Sequence, residues 1–223
     1  MCLWFAGEAP SIAETVASAR FTEPTTRYAH GVLGDNIEYG ALELTVQSGT
    51  LIIRLPSDRV FEDLAPRLVD IDLDDTSEVI VVESHNRTGA QLAIYDSGGR
   101  KIAATPHIGT RFRWLAPIGA ADLDGDGYVE IAYIDRPHLA KTLRIWRYKG
   151  GELTEVAALP GLTNHRIGDD FITGGIKDCG TGPEMIVVSA DWQQIVSINH
   201  EKDWKTRTLS PFSRNAMKQA LTC

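Results

Sequence analysis

The chain has 223 residues, of which 43% are hydrophobic and 23% are charged, and its formal net charge is −8. This composition is typical of a folded globular domain and excludes a disordered or collagen-like chain. The acidic balance, without any run of Lys or Arg, excludes a nucleic-acid partner bound through its phosphate backbone.

The chain begins with a short apolar segment, residues 2–7, that no Lys or Arg precedes. This segment is too short for the hydrophobic region of a secretion signal. Two interpretations of residues 1–15 stay open: an export signal truncated by a misplaced start codon, or a disordered N-terminus. No apolar run approaches the roughly 20 residues that a transmembrane helix needs, so we expect no transmembrane segment.

Residues 16–22 predict an N-terminal strand, and a weak copy of a repeated unit follows it. Residues 30–35 are similar to residues 165–169, and residues 50–54 are similar to residues 142–146. Similarity at a fixed spacing indicates a repeat architecture, in which each copy folds as one supersecondary unit.

Two clear copies of the unit occupy the middle of the chain. Each copy has an acidic turn, a strand, a second strand with alternating apolar positions, a Gly-Gly turn and a third strand. A third, weaker copy surrounds Glu184. The predicted strands after the acidic turns are 78–82, 91–95 and 101–104 in the first clear copy, and 130–134, 142–146 and 153–158 in the second.

The period of the repeat predicts the fold. Glu78, Glu130 and Glu184 occupy equivalent positions and follow one another at nearly equal intervals along the chain. Four short strands in about 50 residues are typical of a β-propeller blade. We therefore predict an all-β fold: a β-propeller of four or five blades, each a four-stranded antiparallel sheet. The N-terminal strand is predicted to close the ring by pairing with the last blade, which removes an exposed edge.

Helical signals are sparse, and only residues 11–19 and 215–222 are candidates for short helices. No linker or low-complexity segment interrupts the repeats. We predict one propeller domain at residues 16–210, preceded by a leader at 1–15 and followed by a C-terminal tail at 211–223.

One loop of the second copy contains acidic residues at the spacing of metal ligands. Carboxylates occupy its first, third, fifth and ninth positions, which are Asp122, Asp124, Asp126 and Glu130. Ca²⁺ binds six to eight oxygen ligands, and the main-chain carbonyl of Tyr128 at position seven supplies another. A glycine at position 127 permits the positive φ that reverses the chain.

Two alternatives compete with a calcium site in this loop. An EF-hand needs a bidentate Glu at position twelve and a following helix, but position twelve is Tyr133 and its neighbours favour a strand. The other alternative is a solvated acidic turn without metal. Three converging aspartates repel one another unless a cation lies between them, so we predict bound Ca²⁺.

The loop at residues 122–130, the strand after it and the repeats that surround it resemble the FG-GAP/VCBS repeat family. The resemblance covers residues 28–210, although one repeat alone carries the complete motif. It implies an integrin-like, calcium-binding β-propeller. The calcium ligands implied by the resemblance are Asp122, Asp124, Asp126, the carbonyl of Tyr128 and Glu130.

The remaining copies depart from the motif. Aligned from Asp72, the first loop is two residues shorter and lacks the glycine after its third acid. Asp72, Asp74 and Glu78 either hold a second, weaker ion or form a solvated turn, and we favour the turn. The third copy keeps only Asp178 and Glu184, which are too few for calcium.

Two of the three cysteines, Cys179 and Cys223, lie outside the leader. They form either a disulfide, which requires an oxidising compartment, or two free thiols. A disulfide would place the chain in an oxidising compartment, and we predict a periplasmic or secreted protein whose export signal is truncated or absent.

Two functions are compatible with these features. The first is a non-enzymatic, calcium-binding interaction module for a protein or glycan ligand, with Trp192 as the candidate binding aromatic if it is not core. The second is an exported hydrolase or lyase with acids at the propeller channel, namely Asp35, Asp70 and Asp169. The sequence has no Gly-x-Ser-x-Gly, His-Glu-x-x-His or phosphate-binding Gly-rich motif.

Overall fold

The computed structural model describes residues 14–223, so most of the predicted leader lies outside the described residues. The described part consists of strands, turns and one short helix, which confirms the predicted all-β class. The strands are β1 (Ser18–Thr25), β2 (Glu38–Val46), β3 (Gly49–Arg54), β4 (Arg59–Phe61), β5 (Arg67–Val69), β6 (Glu78–His85), β7 (Gly89–Tyr95), β8 (Lys101–Ala104), β9 (Leu115–Ala121), β10 (Glu130–Asp135), β11 (Thr142–Lys149), β12 (Glu152–Pro160), β13 (Leu162–Thr163), β14 (Gly175–Asp178), β15 (Pro183–Ser189), β16 (Gln194–His200) and β17 (Trp204–Pro211).

Three antiparallel four-stranded units follow one another along the chain. The second unit has the order β9-β10-β11-β12, and the third has the order β14-β15-β16-β17. In the third unit the first strand is split, because β13 also pairs with β15. The first unit, β5-β6-β7-β8, is split in the same way, since β4 and β5 both pair with β6. The predicted repeat is therefore present in the strand pairing.

The N-terminal strand does not pair with the last unit, so that part of the prediction is wrong. β1 pairs with β2, from Ser18 opposite Thr45 to Thr25 opposite Glu38. β2 also pairs with β3, and a bridge from Tyr39 to Phe61 joins these strands to the first unit in one eight-stranded sheet. The aromatic ring of Phe21 stacks on Tyr39 and Phe61 at centroid distances of 5.7 and 5.4 Å, which fixes β1 at this edge.

The units pack face to face, and alternate residues of one strand serve two different cores. Val79 and Val81 of β6 face the N-terminal strands, whereas Ile80 and Val82 face the second unit. In β10, Ile131 packs toward the first unit, whereas Ala132 and Ile134 pack with the third unit. Burial on both faces explains why every residue of β6 and β7 is buried and why apolar residues follow one another without interruption at 79–82 and 92–95.

A helix covers the outer face of the third unit. α1 (Arg214–Ala220) begins after Ser213, whose hydroxyl oxygen accepts a hydrogen bond from Ala216 N at 3.0 Å. Its buried Met217 packs on Ile186, Val188 and Ile195. The helix predicted at 215–222 is confirmed, whereas the described part of 11–19 contains no helix and enters β1. In residues 14–223, no helix is long and apolar enough to cross a membrane.

Acidic turns and hairpin turns lie at opposite ends of the sheets. In the second unit Glu130 is opposite Arg147 at one end, and Asp135 is opposite Thr142 at the other end. The acidic loop before β10 is therefore at the Glu130 end. The turns that join β6 to β7, β10 to β11 and β15 to β16 are at the other end.

Cys179 and Cys223 form a disulfide across a sequence separation of 44 residues, which resolves the two alternatives left open above. We expect Cys223→Ser to lower the free energy of unfolding by about 3–4 kcal/mol, because the unfolded chain regains the entropy that the cross-link removes. Urea denaturation under oxidising conditions measures this loss. Cys179→Ser/Cys223→Ser is the control and is expected to lose no more stability than Cys223→Ser alone. A Cys223→Ser variant as stable as the unaltered protein would contradict the prediction.

Candidate metal centre

Two acidic loops occupy the same place in successive units. The Asp122 loop (residues 122–130) joins β9 to β10, and the Asp70 loop (residues 70–78) joins β5 to β6. Each loop ends on a glutamate that starts the second strand of its unit. Both loops border open cavities, of about 500 Å³ at the Asp122 loop and about 670 Å³ at the Asp70 loop.

The Asp122 loop is wound around its first carboxylate. Asp122 Oδ1 accepts hydrogen bonds from Gly125 N at 2.8 Å and Asp126 N at 3.1 Å, and its Oδ2 accepts one from Gly127 N at 3.0 Å. Gly125 and Gly127 have φ angles of +77° and +85°, which favour glycine. At the end of the loop, Glu130 Oε2 accepts a hydrogen bond from Leu123 N at 2.9 Å.

Three of the five predicted ligands come together. Asp122, Asp124 and Glu130 each place one carboxylate oxygen so that the three oxygens lie within 4.8 Å of one another. Asp126 is not part of this group, and its Oδ1 accepts a hydrogen bond from Tyr128 N at 3.0 Å. The carbonyl of Tyr128 as a ligand stays a prediction; the ring of that residue lies under the Lys149 ammonium group, 4.2 Å from nitrogen to centroid.

A basic residue that the sequence analysis missed lies among these acids. Arg147 donates from Nε to Glu130 Oε1 at 2.7 Å, pairs through Nη1 with Asp126 Oδ2 at 3.0 Å, and contacts the Asp124 carboxylate through Nη2. Burial raises the pKa of Glu130, and Arg147 opposes that shift. The signal for Arg147 was the hairpin register, which places it directly opposite Glu130.

The Asp70 loop has a similar pattern of hydrogen bonds, one repeat earlier in the chain, without a counterpart of the bond from Gly125 N. Asp70 Oδ1 and Oδ2 accept from Asp74 N and Asp75 N, both at 3.0 Å. Glu78 Oε2 accepts from Ile71 N at 3.1 Å, as Glu130 does from Leu123 N. The oxygens of Asp70, Asp72 and Glu78 form a second group within 4.8 Å.

The alignment of this loop from Asp72 was therefore wrong. Counted from Asp70, it has acids at positions one, three, five and nine, as the Asp122 loop has, with a fifth acid at position six, and the two loops have equal length. The positive φ angles that Gly125 and Gly127 supply in the Asp122 loop come here from Leu73 (+62°) and Asp75 (+68°). Missing glycines do not shorten the loop, because these two residues adopt the left-handed conformation instead.

The two loops differ in charge compensation. Within residues 14–223, no Lys or Arg forms an ion pair with Asp70, Asp72, Asp74 or Glu78. In the second unit Arg147 is paired with Glu130 across the hairpin. In the first unit Val79 is paired with Tyr95, so the residue that corresponds to Arg147 is Asp96, an acid. Burial raises the pKa of Glu78 to about 7, and the nearby aspartates act in the same direction.

The third copy holds no comparable acid group in the described part of the chain. Asp178 Oδ1 accepts a hydrogen bond from Gly180 N at 2.8 Å, within its own turn. Glu184 pairs with Lys177 at 3.5 Å and with Arg207 at 3.3 Å. Its charge is thus compensated by two basic side chains.

The acids of the enzymatic alternative have separate environments. Asp35 Oδ1 accepts a hydrogen bond from Ile37 N at 2.8 Å in a turn, Asp70 belongs to the Asp70 loop, and Asp169 borders a cavity beside the third unit. Among the described residues, no cluster of three acids or histidines includes either Asp35 or Asp169.

A different pair of acids is buried between the N-terminal strands and the first unit. The Glu62 carboxylate contacts His30 Nδ1 at 2.5 Å and accepts a hydrogen bond from the Ser84 hydroxyl. Burial raises the pKa of Glu38 to about 9, and the charge of Glu62 acts in the same direction. The side chain of Glu62 is 0% exposed and that of its partner His30 is 17% exposed.

Comparison with known families gives one match. Residues 70–133 match the family described as the FG-GAP-like repeat. The matched segment begins at the first acid of the Asp70 loop and extends past the Asp122 loop into β10. Comparisons with curated proteins and with solved structures gave no match.

The geometry predicts that Arg147 stabilises the Asp122 loop by compensating Glu130. In the presence of a chelator, Arg147→Gln is expected to lower the free energy of unfolding by about 1–3 kcal/mol, because it leaves a buried carboxylate without its charged partner. Urea denaturation measures the change. Glu130→Gln in the Arg147→Gln background is expected to recover most of the loss. A double variant as unstable as Arg147→Gln alone would contradict this role.

Proposed function

We propose that this chain, whose residues 70–133 form an FG-GAP-like repeat, is an exported, calcium-binding interaction module built like a β-propeller. The observation that carries the proposal is the pair of loops with the same acid spacing and with equivalent hydrogen bonds to the first aspartate and to the closing glutamate. In this proposal residues 16–210 form the propeller domain, residues 1–15 its leader and residues 211–223 its C-terminal tail.

The packing of the sheets supports a propeller-type architecture. Three four-stranded units stack face to face, and the acidic loops of the first two occupy equivalent places. Strands β1, β2 and β3 provide a fourth element beside the first unit. Residues 30–35 and 165–169, which are similar in sequence, are in contact through a hydrogen bond from Gly168 N to Val32 O at 3.1 Å. This contact joins the N-terminal element to the last unit.

The donor set of both loops fits calcium. Ca²⁺ prefers carboxylate and carbonyl oxygens, and each loop brings three carboxylates together. In the Asp122 loop the proposed ligands are Asp122, Asp124, Asp126, the Tyr128 carbonyl and Glu130. In the Asp70 loop they are Asp70, Asp72, Asp74 and Glu78, in place of the solvated turn favoured on the first alignment.

The two sites are proposed to differ in affinity. At the Asp122 loop a calcium ion competes with the Arg147 guanidinium for three carboxylates. At the Asp70 loop the ion meets no such competitor among the described residues. We therefore place the tighter site at the Asp70 loop, although the Asp122 loop carries the more complete sequence motif.

Bound calcium supplies charge compensation and holds the loops in one conformation at one end of the sheets. An ordered loop edge of this kind offers a surface for a protein or glycan ligand. The Cys179–Cys223 disulfide supports export, since disulfides persist in oxidising compartments. This combination favours an interaction module over the hydrolase or lyase alternative.

Thermal unfolding with calcium and with chelator tests the proposal. At a calcium concentration about 100 times Kd, binding adds about 2.7 kcal/mol per site, which corresponds to a rise of roughly 5–10 °C in Tm. Asp72→Asn is expected to remove the larger part of this rise, and Asp124→Asn a smaller part. In chelator, Asp72→Asn should melt no lower than the unaltered protein, because it removes repulsion.

Asp170→Asn is the matched control, since it removes an exposed acid outside both loops and should retain the full calcium response. Arg147→Gln should enlarge the response, because the ion no longer competes with a guanidinium. An identical Tm with and without calcium in the unaltered protein would contradict calcium binding, and an unchanged response in Asp72→Asn would contradict the assignment of the tighter site.

A further inference from the structure

A cavity of about 350 Å³ lies between the third unit and the C-terminal helix. Three segments border it: the loop after β13, the turn between β15 and β16, and residues 212–221. The turn between β15 and β16 contains Trp192 and lies at the end of the sheets opposite the acidic loops. The cavity is therefore separate from the proposed calcium sites. Its volume is at the lower end of the range for small-molecule pockets.

Aromatic side chains and arginines alternate in the wall of this cavity. The guanidinium carbon of Arg166 lies 4.1 Å from the centroid of Trp192 and 5.7 Å from that of Phe212. The indole of Trp192 meets Phe212 edge to face at 5.2 Å. On the other side, the guanidinium carbon of Arg214 lies 5.0 Å from the centroid of Phe171. Each guanidinium lies over an aromatic ring, and within residues 14–223 neither donates a hydrogen bond, so its N–H groups are available for a planar anion.

The cavity is positively charged in an acidic protein. Arg166, Arg214 and Lys218 line it, and Asp169 is the one acid in its wall. Within residues 14–223, none of the three basic side chains forms an ion pair. The chain as a whole has a net charge of −8, whereas the wall of this cavity has a net excess of two positive charges.

The wall is held in place by the fold. Trp192 adopts a φ of +62°, and its main-chain N–H donates a hydrogen bond to the Ser189 carbonyl oxygen at 2.8 Å. Met217 is buried beneath the cavity, and the disulfide at Cys223 secures the end of the helical segment. A site whose aromatic and basic groups are already positioned loses less conformational entropy when a ligand binds.

We propose that this cavity binds a small organic carboxylate with a flat apolar body. The apolar body fits between the aromatic side chains, and the carboxylate accepts hydrogen bonds from Arg166 and Arg214, whose fork geometry matches a carboxylate. Trp192 is then a binding aromatic, which is one of the two interpretations that its sequence position allows. This inference does not depend on calcium and goes beyond the proposed function.

Isothermal titration of the full chain with 2-naphthoate, in chelator, tests the proposal. The neutral isostere 2-naphthamide is expected to bind at least about tenfold more weakly, because it lacks the charge that the arginines recognise. The double variant Arg166→Gln/Arg214→Gln is expected to lose at least about tenfold in affinity for 2-naphthoate and to stay folded at the temperature of the titration, since both side chains are exposed.

Arg87→Gln is the control, because it removes an exposed arginine from the turn between β6 and β7 and should leave binding unchanged. Three outcomes would overturn the proposal: no binding of 2-naphthoate, equal binding of naphthoate and naphthamide, or equal affinity in the double variant. The calcium response has no part in this readout, so failure here and failure of the calcium sites are separate results.

Discussion

A buried glutamate at the start of a strand is the constraint on which both acidic loops depend. Glu78 and Glu130 each accept a hydrogen bond from the second residue of their loop, which fixes the loop against the sheet. Burial of a carboxylate is unfavourable unless a positive charge lies nearby. Arg147 supplies that charge to Glu130. Glu78 has no such partner among the described residues, and its burial, together with the nearby aspartates, raises its pKa to about 7.

The same constraint connects the loops to the stacking of the sheets. β6 and β10, the strands that begin with these glutamates, have apolar side chains on both faces and separate two hydrophobic cores each. A loop that moved would shift a strand on which two cores depend. Fixing the loop with a cation, either a guanidinium or a bound metal ion, therefore stabilises more of the fold than the loop alone.

The sequence was sufficient for the features that depend on local patterns. The period of the repeat, the strands that follow each acidic turn and the convergence of Asp122, Asp124 and Glu130 were all predictable, because alternation and loop spacing determine them. The C-terminal helix was predictable for the same reason. Three further features depend on contacts between residues distant in sequence or on an unusual backbone conformation.

The position of Arg147 depends on the hairpin register, which a bulge or a change in turn length would alter. The pairing of β1 with β2 depends on aromatic contacts of Phe21 that periodicity does not reveal. The true length of the Asp70 loop was hidden because Leu73 and Asp75 adopt a backbone conformation usually associated with glycine. Motifs and glycine positions are local signals, and they do not report these three features.

The most direct test of the two-loop account is anomalous diffraction from crystals grown with calcium. The account predicts two anomalous peaks per chain, one enclosed by Asp70, Asp72 and Glu78 and one by Asp122, Asp124 and Glu130, with the Arg147 guanidinium displaced wherever the second is occupied. The peak at the Asp70 loop should be the stronger at limiting calcium. If neither loop shows a peak at calcium concentrations that saturate ordinary carboxylate sites, the two-loop account is contradicted.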